Sequence, residues 1–300
     1  MNIKYFLKLT FKEKISLFLF KINFIIIKLK CFFNKINTLN SNKKSDLEID
    51  IVITVIERDS EVLDYTLSSI KKYIQHPINK IYIVSPYNSK KIKEICKKNK
   101  CYFIDENKVL PITKKDINYK INGIDRSGRI YQQLLKWGMQ EIVEKENFLI
   151  TESEAVFIRN RIFEYKGKYI FPCSNFRIHK PYIEIFKKLT NIKIHPLYNF
   201  TSHHALYNKK YLRELKFIIE NNCNEEWYKA IINNLSDTEM SSVSDYENYG
   251  QFMYKKYKNK IFLENWGNID LKRNNLSKLK ELKKKYKKTK KVISFSYYLN

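Results

Sequence analysis

The stretch Ile49-Asp50-Ile51-Val52-Ile53-Thr54-Val55-Ile56 decides the fold of this chain. It is short, rich in β-branched residues and almost continuously apolar, as expected of a strand buried on both faces of a parallel sheet. The polar triplet Glu57-Arg58-Asp59 ends it, and the apolar periodicity that begins at Ser60 predicts a helix directly afterwards.

The same order of elements repeats through the first half of the chain. Further strands are predicted at 80–85, 101–104 and 148–150, and helices at 89–99 and 128–146. Strands that alternate with helices indicate an α/β fold with a mostly parallel sheet flanked by helices. The second half is less regular, with helices predicted at 211–221, 226–235 and 244–257 and strands at 169–172 and 261–263. Ligands of such sheets bind beyond the carboxyl ends of the strands.

Composition argues against several classes of protein. The 300 residues include six glycines, and neither the Gly-x-Gly-x-x-Gly pattern nor the Walker pattern is present. Nicotinamide-dependent enzymes and P-loop ATPases therefore lose support. The five cysteines form no Cys-x-x-Cys pair, so we expect reduced thiols in a cytosolic compartment and neither a zinc site nor a disulfide framework.

Positive charge is concentrated at the two ends of the chain. Residues 1–50 and 271–300 carry +6 and +10 of the formal net charge of +26. We therefore predict an amphipathic basic N-terminal segment (residues 1–45), one α/β domain (residues 46–268) and a Lys-rich C-terminal tail (residues 269–300). The tail is either solvated or a contact with anionic lipid.

The N-terminal segment mixes apolar residues with regularly spaced lysines. Lys14, Lys21, Lys28 and Lys35 recur every seven residues, which places them on one stripe of a helix. No run between charges is long enough to span a bilayer, and no small-residue cleavage site follows. A helix in the surface of an anionic membrane fits this pattern. A helix packed on the domain and a signal anchor are the alternatives.

Two glutamates follow the predicted strand at 148–150. Glu152 and Glu154 are one residue apart, so at a strand end both side chains project to the same side. Adjacent carboxylates repel unless a cation lies between them. Mg²⁺ and Mn²⁺ prefer oxygen ligands and connect carboxylates to substrate phosphates. The pair is either a metal–diphosphate clamp or two surface glutamates in a turn.

Two arginines begin the helix predicted from residue 128. Arg126 and Arg129, beside the amide of Gln133, either hold a phosphate or are solvated residues of an ordinary helix start. Further along, His203 and His204 either bind a metal or a substrate hydroxyl, or are part of a loop.

An acidic helix start lies at Ser244-Asp245-Tyr246-Glu247. The Ser-x-x-Glu spacing predicts a capping box in which Ser244 caps the helix and Glu247 folds back on it. Asp245 is then free to face a cleft, where the helix N-terminus would keep it ionised and suited to act as the general base for a sugar hydroxyl. Glu247 is the second candidate for this catalytic role.

Taken in order, several of these segments resemble a family of bacterial GT-A-like glycosyltransferases that is catalogued as a domain of unknown function and associated with surface-polysaccharide synthesis. The resemblance covers roughly residues 48–265. It is carried by Glu57-Arg58-Asp59, Gln132-Gln133-Leu134-Leu135-Lys136, Thr151–Phe157, Thr201–Tyr207 and Ser244–Gly250.

The resemblance implies a nucleotide-sugar donor and a glycan or lipid-linked acceptor. Glu152 and Glu154 match the family's Asp-x-Asp element, which implies a divalent metal, Mn²⁺ or Mg²⁺; glutamate in place of aspartate is the one departure. His204 would complete the metal shell, and His203 would meet the metal or the acceptor. Asp245 or Glu247 falls at the acidic helix start that supplies the base in inverting enzymes. The predicted donor-binding residues are Glu57, Arg58, Asp59, Arg126, Arg129 and Gln133.

The predicted location is the cytoplasm, peripheral on the inner face of the bacterial inner membrane, with the anionic membrane surface as a partner and no nucleic acid expected. A basic nucleic-acid-binding protein is one alternative, which explains the net charge but not the acidic pair at a strand end. A catalytically inactive glycosyltransferase-like scaffold is the other.

Overall fold

The computed structural model describes residues 43–174, 178–195 and 198–297, together with Thr10, Phe11, Ile15, Phe18, Ile22, Ile25 and Leu29. The strands are β1 (Ile49–Thr54), β2 (Ile78–Ser85), β3 (Tyr102–Asp105), β4 (Lys120–Ile121), β5 (Ile124–Asp125), β6 (Asn147–Thr151), β7 (Ala155–Phe157), β8 (Glu164–Tyr165), β9 (Lys168–Cys173), β10 (His204–Asn208), β11 (Ile261–Asn265), β12 (Asn268–Lys272) and β13 (Val292–Ser296). The α-helices are α1 (Ser60–Tyr73), α2 (Lys90–Asn99), α3 (Ser127–Gly138), α4 (Lys180–Thr190), α5 (Lys209–Cys223), α6 (Trp227–Asn233), α7 (Asp245–Lys256) and α8 (Leu279–Tyr286).

A five-stranded sheet forms the centre of the domain, in the order β10-β6-β1-β2-β3. Strands β6, β1, β2 and β3 run parallel, and β10 pairs antiparallel with β6 at one edge. Both faces of β1 are buried, since Val52 belongs to one hydrophobic cluster while Ile51 and Ile53 belong to another. The predicted α/β class, with a mostly parallel sheet flanked by helices, is confirmed.

Helices cover both faces of the sheet. Leu63 and Leu67 of α1 pack on the side of Ile51, whereas Ile130 and Leu134 of α3 pack on the side of Val52. The helix predicted at 128–146 is shorter, because α3 ends at Gly138 and a 3₁₀ turn follows. A Cβ on Gly138 would lie 2.8 Å from Val109 Cγ1, so this close approach needs a glycine. Glycine in turn is a weak helix former.

Residues 269–297 do not form the solvated tail that their composition predicts. β12 pairs with β13, and β13 pairs antiparallel with β7. Leu276, Leu279, Ile293 and Phe295 are buried in one cluster with Val62 of α1. The domain therefore does not end at residue 268 but continues through β13. The lysine content is misleading here because lysines cover the solvent face of α8, while Leu279 is buried and Leu282 and Tyr286 are partly buried.

Six apolar residues between positions 11 and 29 of the N-terminal segment are helical and have exposed side chains. Phe11 and Phe18 are 79% and 64% exposed, and the spacing of Phe11, Ile15, Phe18, Ile22, Ile25 and Leu29 alternates between three and four residues, so they form one stripe. Lys14, Lys21, Lys28 and Lys35 lie outside the described residues. Within the described part of the chain, no helix has both the length and the apolar character needed to cross a membrane.

Candidate active site

A cleft of about 680 Å³ opens where β1, β2 and β6 end. Thr54, Val84 and Glu152 mark these three strand ends in its wall, as expected for a parallel sheet. The predicted site residues that line the cleft are Arg58, Asp59, Arg126, Arg129, Gln133, Glu152, Glu154, His203 and Asp245. The fold therefore gathers at one place residues that are up to 187 positions apart in the sequence.

Lys136 of α3 lies between two carboxylates of the cleft. Its Nζ contacts Glu152 Oε1 and lies 3.4 Å from Asp245 Oδ2, and its side chain is only 3% exposed. Burial alone would lower the pKa of Lys136, but Asp245 and Glu152 outweigh burial and raise that pKa. Burial would likewise raise the pKa of Glu152, and Lys136 outweighs it and lowers that pKa. Both members of this ion pair are therefore charged.

Arg273 links the next two carboxylates. Its Nη2 lies 2.7 Å from Asp59 Oδ1 and 3.4 Å from Glu154 Oε2, and its Nε donates to the carbonyl oxygen of Phe295 at 2.9 Å. Burial raises the pKa of Glu154 to about 7, with Glu152 and Asp59 adding to the effect and Arg273 opposing it. The second glutamate of the pair is thus held by an arginine from the segment that was predicted to be a tail.

Asp245 begins α7 and faces the cleft. Ser244 caps the helix by accepting a hydrogen bond from the amide of Glu247, and the amide of Asp245 donates to Gln133 Oε1 at 2.9 Å. The Asp245 side chain is buried, and its Oδ2 is paired with Lys136 Nζ at 3.4 Å. Contrary to the expectation from the helix N-terminus, burial and the nearby Glu152 raise the pKa of Asp245 despite Lys136. A raised pKa suits a group that accepts a proton during the reaction.

The start of α3 forms the basic side of the cleft. Arg126 and Arg129 line it together with Lys114. Arg126 Nε donates to the carbonyl oxygen of Met240, whereas Lys114 Nζ lies 3.5 Å from Asp125 Oδ2. The amide of Ser127 already donates to Asp125 Oδ1 at 2.8 Å, so the two arginine side chains at the first turn of α3 provide the place for an anion such as a phosphate group.

The two adjacent histidines lie in different environments. His203 lines the cleft, and its Nε2 lies 3.3 Å from Asp270 Oδ1. Its pKa is raised, because Asp270 and the two cleft glutamates outweigh burial. His204 instead packs its ring against Phe157 and Phe163 in the core, where burial and Arg161 lower its pKa. Successive residues of a strand point to opposite faces, so the structure does not support His204 as a metal ligand.

Glu247 and Glu57 lie outside the cleft lining. Glu247 is fully buried, and its Oε2 accepts hydrogen bonds from the amides of Phe200 and Thr201. It therefore braces the loop before β10 and does not close the predicted capping box, so a catalytic role for it is not supported. Glu57 accepts a hydrogen bond from the amide of Lys91 at the start of α2. It is not among the residues that line the cleft.

Residues 46–292 match the model of a family of unknown function, DUF6492. The chain belongs to this family. The match extends to residue 292, in agreement with a domain that continues past residue 268. No curated protein matches the chain.

Solved structures that are similar in shape include several sugar-transferring enzymes. Apo mouse xyloside xylosyltransferase 1 has a TM-score of 0.45 and 12% identity, covering 84% of this chain and 99% of its own. An active-site mutant of LgtC has a TM-score of 0.45 and 13% identity, with 82% and 87% covered. Glucosyl-3-phosphoglycerate synthase from Mycobacterium tuberculosis, in complex with Mn²⁺ and UDP, has a TM-score of 0.39 and 8% identity, with 73% and 69% covered. The similarity is distant, so we argue function from the cleft itself.

The cleft does not fit the predicted metal site. Among the described residues, no group of three or more His, Cys, Asp or Glu side chains is placed to hold a metal ion. Lys136 contacts Glu152, Arg273 contacts Glu154, and His203 pairs with Asp270. A divalent ion needs several free oxygen ligands, and the predicted ones already have cationic partners.

Sequence reasoning did not single out Lys136, which lines the cleft, or Arg273, which contacts the lining residues Asp59 and Glu154. Lys136 carried a usable signal, since Arg129, Gln133 and Lys136 recur at helical spacing on one side of an otherwise apolar helix. Arg273 carried a weaker one, as the only arginine among ten lysines in residues 271–300.

Proposed function

We propose that this protein is a nucleotide-sugar-dependent glycosyltransferase with a GT-A-like site. The observation that carries the proposal is the cleft at the carboxyl edge of the parallel sheet, where an arginine-lined helix start faces a cluster of carboxylates and buried cations. A nucleotide sugar has a matching layout, with an anionic diphosphate between two hydroxyl-rich parts. A nucleic-acid-binding face, by contrast, would not place four carboxylates at its centre.

The donor's diphosphate would bind Arg126 and Arg129. Both guanidinium groups can form paired hydrogen bonds with phosphate oxygens, and the positive end of the α3 helix dipole adds to the attraction. Asp59 and Arg58, which follow the end of β1, would then contact the nucleoside. Gln133 would position Asp245 through its hydrogen bond to the Asp245 amide.

Asp245 would act as the general base. An acceptor hydroxyl bound in the cleft beside Asp245 would donate to its carboxylate. As the acceptor oxygen bonds to the sugar's anomeric carbon, its proton passes to Asp245. The bond between that carbon and the diphosphate breaks, and its electron pair leaves with the nucleoside diphosphate. This role requires transfer with inversion at the anomeric carbon.

The acceptor in this proposal is a lipid-linked or growing glycan of a bacterial surface polysaccharide, such as capsule or lipopolysaccharide. Its location would be the cytoplasmic face of the inner membrane, to which the N-terminal segment would bind peripherally. The exposed apolar stripe of Phe11, Ile15, Phe18, Ile22, Ile25 and Leu29 supports this, because apolar side chains insert at the acyl boundary while lysines meet anionic headgroups. The ten lysines of residues 1–50 supply that charge.

Changing both Phe11→Ser and Phe18→Ser is expected to reduce binding to anionic vesicles at least tenfold, because two exposed aromatic anchors are lost. Vesicle co-sedimentation measures this. Phe217→Ser is the matched control, since Phe217 is 59% exposed but lies on α5 of the domain. Equal vesicle binding by the double variant and the wild type would contradict the membrane proposal.

A thermal-shift panel of nucleotide sugars and nucleoside diphosphates tests the proposed activity. A ligand that binds only the folded protein raises its melting temperature as ligand concentration exceeds Kd. We expect one nucleotide to stabilise the protein at micromolar to millimolar concentrations. No shift with any member of the panel would contradict the proposal. Salt-dependent binding of RNA would then favour a nucleic-acid-binding protein, and no binding of either would favour a scaffold.

A further inference from the structure

Each of the paired glutamates of the cleft is held by its own buried cation. Lys136 contacts Glu152, and Arg273 lies 3.4 Å from Glu154. Neither cation is a surface residue, because their side chains are 3% and 9% exposed. Lysine and arginine are almost never buried to this degree unless they are paired.

Each cation also bridges to a second carboxylate. Lys136 lies 3.4 Å from Asp245, and Arg273 lies 2.7 Å from Asp59. Both cations therefore bridge two carboxylates each, which is the arrangement that a divalent ion would otherwise provide for adjacent acids. The two bridges lie side by side, because Glu152 and Glu154 are one residue apart after β6.

The elements that carry these cations hold them in place. Lys136 stands on α3, where the ring centre of Tyr246 lies 4.5 Å from its Nζ. Arg273 is fixed through the hydrogen bond from its Nε to the carbonyl oxygen of Phe295 on β13. A metal ion at the glutamates would have to displace both, which would place it beside two buried positive charges that each keep only one of their two carboxylates.

We propose that Lys136 and Arg273 take the place of a divalent metal ion in this cleft. The inference rests on the proposed function for its chemical meaning. As the bond from the anomeric carbon to the diphosphate breaks, the leaving group gains negative charge. The Lys136 ammonium, which lines the cleft, and the Arg273 guanidinium, which contacts the lining residues Asp59 and Glu154, offset this charge. Fixed charges in a water-poor site stabilise such a developing charge without needing to reorganise. The carboxylates hold these two cations in position, so Glu152 and Glu154 are positioning residues and not metal ligands.

Mn²⁺ binding to the protein alone tests the inference independently of any sugar donor. Titration of the full-length protein, followed by the electron paramagnetic resonance of free Mn²⁺, is expected to show no site tighter than about 1 mM in the wild type. Lys136→Met removes the charge but keeps most of the side-chain volume. It is expected to expose Glu152 and Asp245 to the ion and to tighten Mn²⁺ binding at least tenfold. Arg273→Met is expected to act similarly through Asp59 and Glu154.

Lys216→Met is the matched control for loss of a buried lysine. Lys216 is buried and its Nζ donates to the carbonyl oxygen of Trp137 at 3.0 Å, without a carboxylate partner in contact among the described residues. This variant should leave Mn²⁺ binding as weak as in the wild type. Stoichiometric, tight Mn²⁺ binding by the wild type would overturn the proposal, and so would unchanged weak binding in folded Lys136→Met and Arg273→Met variants.

Donor binding in the presence of a chelator provides a second readout that does not depend on the variants folding. The thermal shift caused by the stabilising nucleotide is expected to be equal, within error, in EDTA and in Mn²⁺. A thermal shift that appears only with Mn²⁺ would overturn the proposal that the two cations replace a metal ion, while leaving the glycosyltransferase proposal intact. Failure of every nucleotide to bind would count against the proposed function, and the Mn²⁺ titration would still decide whether the cations occupy the metal position.

Discussion

Asp245→Asn is expected to lower the rate of sugar transfer by about 10²- to 10⁴-fold, the usual contribution of a general base. Asparagine has nearly the same shape but cannot accept the proton of the acceptor hydroxyl. Lys136 keeps Glu152 as a partner in this variant, so the fold and donor binding should persist. The measurement is kcat with the identified donor, together with the donor-induced thermal shift, which we expect to change less than the rate.

The pH dependence of the reaction follows from the same residue. Burial raises the pKa of Asp245, and only its deprotonated form accepts a proton. Activity should therefore fall as the pH drops through a pKa that lies above the ordinary aspartate value. The pH–rate profile of Asp245→Asn should lack this acidic decline. Asp64→Asn is the control, because Asp64 pairs with Lys98 outside the cleft. Turnover close to that of the wild type in Asp245→Asn would eliminate Asp245 as the base.

Glu264→Gln is expected to lower the free energy of unfolding by about 3–5 kcal/mol. Glu264 is 1% exposed and lies 2.7 Å from Arg161 Nη1 and 2.6 Å from Lys291 Nζ. Removal of its charge leaves two buried cations side by side. A loss of this size should lower the melting temperature by roughly 10 °C, measurable by calorimetry. Glu144→Gln is the control, since the Glu144 side chain is 52% exposed and such pairs contribute little.

Acid should weaken the same cluster. Burial would raise the pKa of Glu264, but Arg161 and Lys291 outweigh burial and lower it. The folded-state pKa is thus below the ordinary value of 4.5, so this contribution is present above that value and is lost as the pH falls through the folded-state pKa. The wild type should lose this contribution to its folding stability in acid, whereas Glu264→Gln should lack the contribution at every pH. A melting temperature for Glu264→Gln equal to that of the wild type at pH 7 would refute this account.

The central sheet could be predicted from the sequence because its strands carry their own signal. The run at Ile49–Thr54 is rich in β-branched residues and contains one charged residue, Asp50, and the helix that follows shows a clear apolar period. The position of Glu152 and Glu154 then follows from the rule that parallel strands end at one edge. The helix starts of α3 and α7 likewise place Arg126, Arg129 and Asp245 in the cleft lining, and their roles there stay predictions.

What could not be predicted depends on contacts between distant segments. Leu276, Leu279, Ile293 and Phe295 are too few to mark a folded segment among so many lysines, and they become a core only beside Val62 and Val156. His204 lies on β10, whose buried face is set by pairing with β6, so the sequence alone could not separate it from His203. Glu247 was ambiguous because local spacing suggests a cap, whereas the backbone of Phe200 and Thr201 uses its carboxylate.

The most direct test of the central claim is hydrogen–deuterium exchange with and without the nucleotide that stabilises the protein. If the cleft binds the donor, protection should appear together at the end of β1, at the start of α3 around residues 126–133, at residues 152–154 and at residues 244–246. The exposed face of α8 should exchange equally in both states. Protection confined to α8 or to the N-terminal segment, with none at residues 126–133 or 152–154, would contradict a nucleotide-sugar site in the cleft.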